Sequence, residues 1–281
     1  MTNVSLDDPN LASKIGQDKD QPAPVIERPA LQHISDKAKS PFYSAILPTG
    51  YLDEESNLHK EIEIKELSGV EEDILTSRGG LPWYARMHKL MENCIVSIGD
   101  YSQTSLKWKD IIKSLIVSDH YYSMLHIRIA SLGSMYTAKT KCHNPSCGHP
   151  MNKTVDLKDF LITGLADPLK RTYDGETPSG IKFVCKPQDG YQDAKMNKNK
   201  SKDILTLLIL GRLVQLGDDS IITVPKVKSL SMKDRQYLRS FFNRIEGDID
   251  NKMECVCDEC GEEFEEAVDV STPSFFFPME T

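Results

Sequence analysis

The sequence predicts an α+β chain: a mainly helical N-terminal region with short strands, followed by two β-hairpins that a long mixed α/β insertion separates. Three observations carry this prediction. Between residues 68 and 131, apolar side chains recur at steps of three and four, the period of helices with one buried face. Two cysteine hooks, Cys142–Cys147 and Cys257–Cys260, are each closed by a glycine and flanked by alternating, strand-like segments. The residues between the hooks contain both helix-like and strand-like runs.

In chain order, residues 1–40 read as a disordered arm, because scattered aliphatics among Asp, Asn, Gln, Lys and Pro cannot offset the entropy of ordering. Residues 41–135 form a mainly helical domain that starts with a hairpin. Its first strand is the apolar run from Phe42 to Leu47, ended by Pro48-Thr49-Gly50, and its second carries Ile62 and Ile64 between charges. Ser68 and Glu71 make a capping box for a helix through Leu75, which Gly79-Gly80 stops. Pro82 opens a second helix reaching about Ile95, with Tyr84, Met87, His88, Met91 and Cys94 recurring at three- and four-residue steps and His88 and Cys94 read as packing residues. From Trp108 to Ser131 the apolar face is interrupted at Ser118-Asp119, which divides it into two helices. On the second of these, Asp119 and Arg128 are candidates for a buried pair or for a cap and a solvated charge. His120 and His126, six residues apart, face differently and do not form a metal pair.

Residues 136–270 hold the hooks, at 142–148 and 257–261. A Gly behind the second cysteine lets the backbone turn so that both sulfurs point inward at about 2.3 Å from a metal. Four thiolates in two such hooks make the ligand set of a structural zinc, so Cys142, Cys147, Cys257 and Cys260 are the expected ligands of Zn2+ and the domain is a split zinc ribbon carrying a mixed α/β insertion. Cys255, His143 and His149 are open alternatives for one position. Seven cysteines and no secretory signal count against a disulfide framework. Within the insertion, Thr177-Pro178-Ser179-Gly180 precedes a strand over residues 181–185, a helix covers 203–215, residues 221–224 form a short strand, and Ser231 starts a helix to Ile245. Residues 271–281 are an aromatic tail. Its three consecutive phenylalanines either fold back on the chain's own core or, with Phe275 and Phe277 on one side and Phe276 on the other, contact a partner.

A formal charge of −8 and a pI near 5.4 argue against nucleic acid as main partner. The basic stretch Lys195–Lys202 lacks an aromatic residue to stack bases and reads as a solvated loop. No apolar run is long enough for a membrane span. The sequence carries no Gly-rich phosphate loop, nucleophile elbow or HExxH, so no catalytic residue and no small-molecule substrate are expected.

The run from Asp119 to Cys147, a helix ending Ile127-Arg128-Ile129-Ala130-Ser131-Leu132-Gly133 and entering the first hook, resembles the T-even-type phage baseplate hub family. Leu47-Pro48-Thr49-Gly50, the segment from Glu66 to Leu75, and Phe275-Phe276-Phe277-Pro278 agree with it, so the resemblance covers about residues 41–281. It implies a non-catalytic tail assembly or baseplate protein whose partners are other phage baseplate or tail proteins. Its place is then the virion tail baseplate, or the host cytoplasm during assembly if it acts as a transient chaperone. The competing reading is a nucleic-acid-binding zinc ribbon of transcription or replication. The acidic run after the second hook, Glu262, Glu263, Glu265 and Glu266, weighs against that reading.

Overall fold

The computed structural model describes residues 41–76, 81–192, 203–270 and 272–277, all belonging to the compact unit Pro41–Thr281. Strands β1 (Tyr43–Leu52) and β2 (Leu58–Ile64) form the expected antiparallel hairpin, Tyr43 opposite Ile64 and Leu52 opposite Leu58. Alternation turns Ala45, Leu47, Ile62 and Ile64 into the core. β3 (Ile95–Ile98) and β4 (Tyr101–Ser102) extend the sheet in the order β1-β2-β3-β4.

Helix α1 (Gly69–Thr76) begins at the predicted capping box, where Ser68 Oγ donates to Glu71 Oε2 at 2.6 Å and Ser68 N donates to the same oxygen at 2.9 Å. The predicted stop at Gly79-Gly80 lies outside the described residues. α2 (Trp83–Cys94) follows Pro82 and buries His88, Leu90, Met91 and Cys94. α3 (Trp108–Ser114) and α4 (Val117–Leu132) are the two helices expected, but they divide at Leu115-Ile116 rather than at Ser118-Asp119. The reason is tertiary: Val117 N donates to Gln188 O at 3.0 Å, so backbone from the insertion, not a side-chain cap, satisfies the helix start.

Gly133 ends α4, and β5 (Met135–Lys141) pairs with β6 (Pro150–Asp156) around the first hook. After a 3₁₀ turn, β7 (Leu161–Ile162) pairs with β11 (Ile249–Asp250), which brings the two ends of the insertion together. Inside lie β8 (Tyr173–Glu176), β9 (Lys182–Cys185), α5 (Ile204–Arg212), β10 (Leu213–Leu216), α6 (Val224–Ser229) and α7 (Met232–Ile245), with sheet order β10-β9-β8. Two local expectations are corrected here. The helix over 203–215 stops at Arg212 because Leu213 pairs with Cys185 of β9. The strand over 221–224 is absent because Thr223 caps α6, accepting from Lys226 N, with Pro225 in the first turn. Basic Lys195–Lys202 lies outside the described residues.

β12 (Lys252–Val256) and β13 (Glu263–Ala267) carry the second hook. The main core gathers Leu47, Ile62, Met91, Ile112 and Leu125 together with Met253, Cys255, Val268 and Val270. A boundary after residue 135 therefore does not separate two hydrophobic cores. The second core lies wholly inside the insertion, where Phe183, Cys185, Ile209, Leu216, Val227, Leu238 and Phe242 pack together. The tail is corrected as well. Pro273–Phe276 is a short helix, α8, rather than an extended segment, and Phe275 and Phe276 are both buried in the main core with Phe277 half-buried against it. A helical turn does not alternate its side chains between two faces, so the division of Phe275 and Phe277 from Phe276 fails.

Candidate metal centre

The tips of the two hairpins meet. Each is a tight turn closed by its glycine: Gly148 has φ 58° and its N–H donates to Asn144 O, and Gly261 has φ 73° and donates to Cys257 O. That left-handed backbone strains any residue with a Cβ, which is the physical basis of the Gly behind each hook. The return bonds Cys142 N to His149 O at 2.9 Å and Cys257 N to Glu262 O at 2.8 Å lock both turns onto their strands.

Four sulfurs converge there. Those of Cys142, Cys147, Cys257 and Cys260 all lie within 4.8 Å of one another, with Cys142 to Cys260 at 3.5 Å and Cys147 to Cys257 at 3.8 Å. A tetrahedron with metal–sulfur bonds of about 2.3 Å has edges of about 3.8 Å, so the spacing fits one zinc-sized ion. Backbone N–H groups also point at the sulfurs: Asn144 N donates to Cys142 Sγ at 3.4 Å, and His149 N to Cys147. The N–H groups of Cys260 and Glu259 draw the Cys257 thiol down to about 6, whereas desolvation pushes Cys142 up to about 12. A bound divalent cation favours the thiolate at every position. Four protein ligands leave no position for water or substrate, so what this arrangement can do chemically is cross-link two distant segments.

The alternative ligands sit elsewhere. Cys255 is buried in the main core, with its sulfur near Met253 O. The His143 ring lies tilted against Phe264, 4.3 Å between centroids, and its Nε2 meets Glu266 at 3.0 Å. His149 contributes its backbone to the site. Met151 and Phe264 pack beneath the sulfurs as a third, very small core.

Two buried charges do the positioning that sequence reasoning missed. Asp119 and Arg128 do not pair. Asp119, with no exposed surface, accepts from Thr49 N at 2.8 Å and Gly50 N at 3.0 Å, fastening the end of β1 to α4, and burial raises its carboxyl to about 6. Arg128 donates from Nε to Phe275 O at 3.1 Å and from Nη1 to Gly133 O at 2.7 Å, and its guanidinium lies over the Tyr136 ring at 5.7 Å. It thereby ties the tail to the point where α4 passes into the first hairpin. Only the unusual presence of a charge on the apolar face of the α4 sequence signals either role. His120 is buried and bonded to Ile112 O at 2.8 Å, and His126 meets Tyr43 Oη at 3.0 Å, so both act as packing residues.

A protein-family model described as T4 bacteriophage base plate protein matches residues 60–277, a span that includes both cysteine hooks, the second and third cores, and the main core apart from its β1 residues Ala45 and Leu47. No curated protein and no solved structure matches the chain. Among the described residues, no helix is long and apolar enough to cross a membrane.

Proposed function

The chain belongs to the T4 bacteriophage base plate protein family, and from that premise we propose that it is a non-catalytic structural or assembly protein of the baseplate hub, stapled by one structural zinc in a split zinc ribbon. The family match carries the first part of the reading. The second rests on the convergence of Cys142, Cys147, Cys257 and Cys260 from segments more than a hundred residues apart, in a set whose chemistry suits a closed zinc site. In this reading the ion holds together hairpins whose own contacts are few, and the chain's partners are other tail proteins. No substrate or catalytic residue enters it.

The test is quantitative mass spectrometry of purified particles, together with particles assembled when this chain is withheld. Stoichiometric presence supports a hub component. Absence from finished particles, with assembly failing when the chain is withheld, makes it a transient assembly chaperone instead. Normal assembly without it refutes both.

A further inference from the structure

Each of the two hairpins turns one face toward the other and one away. Their mutual contacts come from alternate residues and the tips: Thr140 Oγ1 donates to Glu266 Oε2 at 3.1 Å, Lys153 Nζ to Asp258 Oδ1 at 3.0 Å, and Met151 and Phe264 share the small core under the sulfurs. Because side chains alternate along a strand, the intervening residues point the opposite way. On β5 the charged ones are Lys139 and Lys141, both exposed, alongside Met135 and Thr137. On β12 and β13 the charged ones are Glu254, Glu263 and Glu265 with a single cation, Lys252, all exposed. The hairpin pair therefore has a basic outer face on one side and an acidic outer face on the other.

Among the described residues the basic face has no ion pair, and the acidic face is neutralised only in part. Glu254 stands directly opposite Glu265 in the register, and like charges so placed weaken a hairpin. Lys252 reaches Glu265 at 2.7 Å, but among the described residues Glu254 and Glu263 have no cationic partner, and Lys139 and Lys141 have no anionic one. The spacing also matches. Lys139 and Lys141 are two residues apart on one strand, as are Glu263 and Glu265 on another, so each pair repeats at about 7 Å.

We propose that these faces are the two halves of a head-to-tail contact between copies of this chain, with Lys139 and Lys141 of one copy set against Glu263 and Glu265 of the next. A second copy is the occupant the charges favour, because one molecule presents both signs at one spacing on opposite sides of a single unit. Such a contact is heterologous: each copy uses both faces, and the assembly closes into a ring or grows as a filament. Exposed ion pairs are individually weak and screened by salt, so the association is multivalent and salt-sensitive.

The test is the mass of the full zinc-loaded chain in solution, by light scattering and sedimentation velocity across concentration and salt. The wild type should assemble at low salt and fall to one chain at high salt. The double variants Lys139→Glu/Lys141→Glu and Glu263→Lys/Glu265→Lys should each remain single chains at low salt, and mixing the two should restore assembly. Melting temperature and zinc content of each variant identify any failure of folding, and the milder Lys139→Gln/Lys141→Gln variant should then show the same loss. A wild type that stays a single chain at low salt overturns the proposal, as do oligomers that persist in both charge-swapped variants.

Discussion

Replacing Phe275 by Ala distinguishes a tail that belongs to the core from a tail kept for a partner. Phe275 has no exposed surface. Its ring lies 5.3 Å from Tyr136 and 5.1 Å, edge-on, from Phe276, with the Arg128 guanidinium 5.9 Å from its centroid. Truncating a phenylalanine in such surroundings costs about 3–5 kcal/mol, the transfer term plus a cavity that rigid neighbours do not fill. For a cooperative unit of this size, each kcal/mol lowers the melting temperature by about 2–4 °C, so the variant should melt about 6–20 °C below wild type. Phe277→Ala, which removes a half-buried ring, should cost clearly less. Calorimetry measures both, and a denaturant titration with unchanged slope shows that the same surface still unfolds. A Phe275→Ala protein that melts within about a degree of wild type refutes the core assignment.

The remaining predictions concern the metal and a buried acid. Protein purified without chelator should carry about one zinc per chain, and Cys147→Ser or Cys260→Ser should lose it. Because the insertion has its own core and the tail is anchored in the main one, chelation should strip hydrogen-exchange protection from the two hook turns while α4 and α7 keep theirs. Absence of zinc, or unfolding of the whole chain on chelation, contradicts this. Asp119→Asn keeps one of the two backbone bonds and sets an amide N–H₂ against the other donor, so at pH 7 it should destabilise by about 2–3 kcal/mol in denaturant titrations. Burial raises the Asp119 pKa from 3.8 to about 6, so the folded chain holds that proton more tightly than the unfolded chain does. The stability from this group is full below about pH 4 and is lost as pH rises through about 6, roughly 3 kcal/mol in all. His126, which burial holds down near 4, acts in the opposite sense, contributing stability above about pH 6.5 that is lost as pH falls through about 4. The variant-minus-wild-type difference isolates Asp119 and should change by roughly 3 kcal/mol between pH 4 and pH 7; a constant difference refutes the assignment.

The sequence by itself determined the features that local chemistry settles. The two hooks are legible because glycine takes the left-handed backbone behind the second sulfur without strain. The capping residues Ser68 and Ser231 are legible because a hydroxyl beside a helix start answers donors that the helix leaves open, here Val70 N and Asp234 N. The α+β class follows from periodicity, and the pairing of β1 with β2 from alternation about a turn. The tertiary structure alone decided what depends on groups distant in the chain. α4 starts at Val117 because Gln188 supplies a carbonyl, and α5 ends at Arg212 because β9 offers Leu213 a strand partner. Asp119 and Arg128 turn away from each other because backbone N–H groups at Thr49 and Gly50, and carbonyls at Gly133 and Phe275, compete for them in the folded chain. The three phenylalanines looked like a binding motif because their number exceeds what one face of an extended strand can bury. A single turn of helix, laid on the core beside Arg128, buries two of them and half-covers the third, since the geometry of the surrounding core, not the tail's own sequence, sets its conformation.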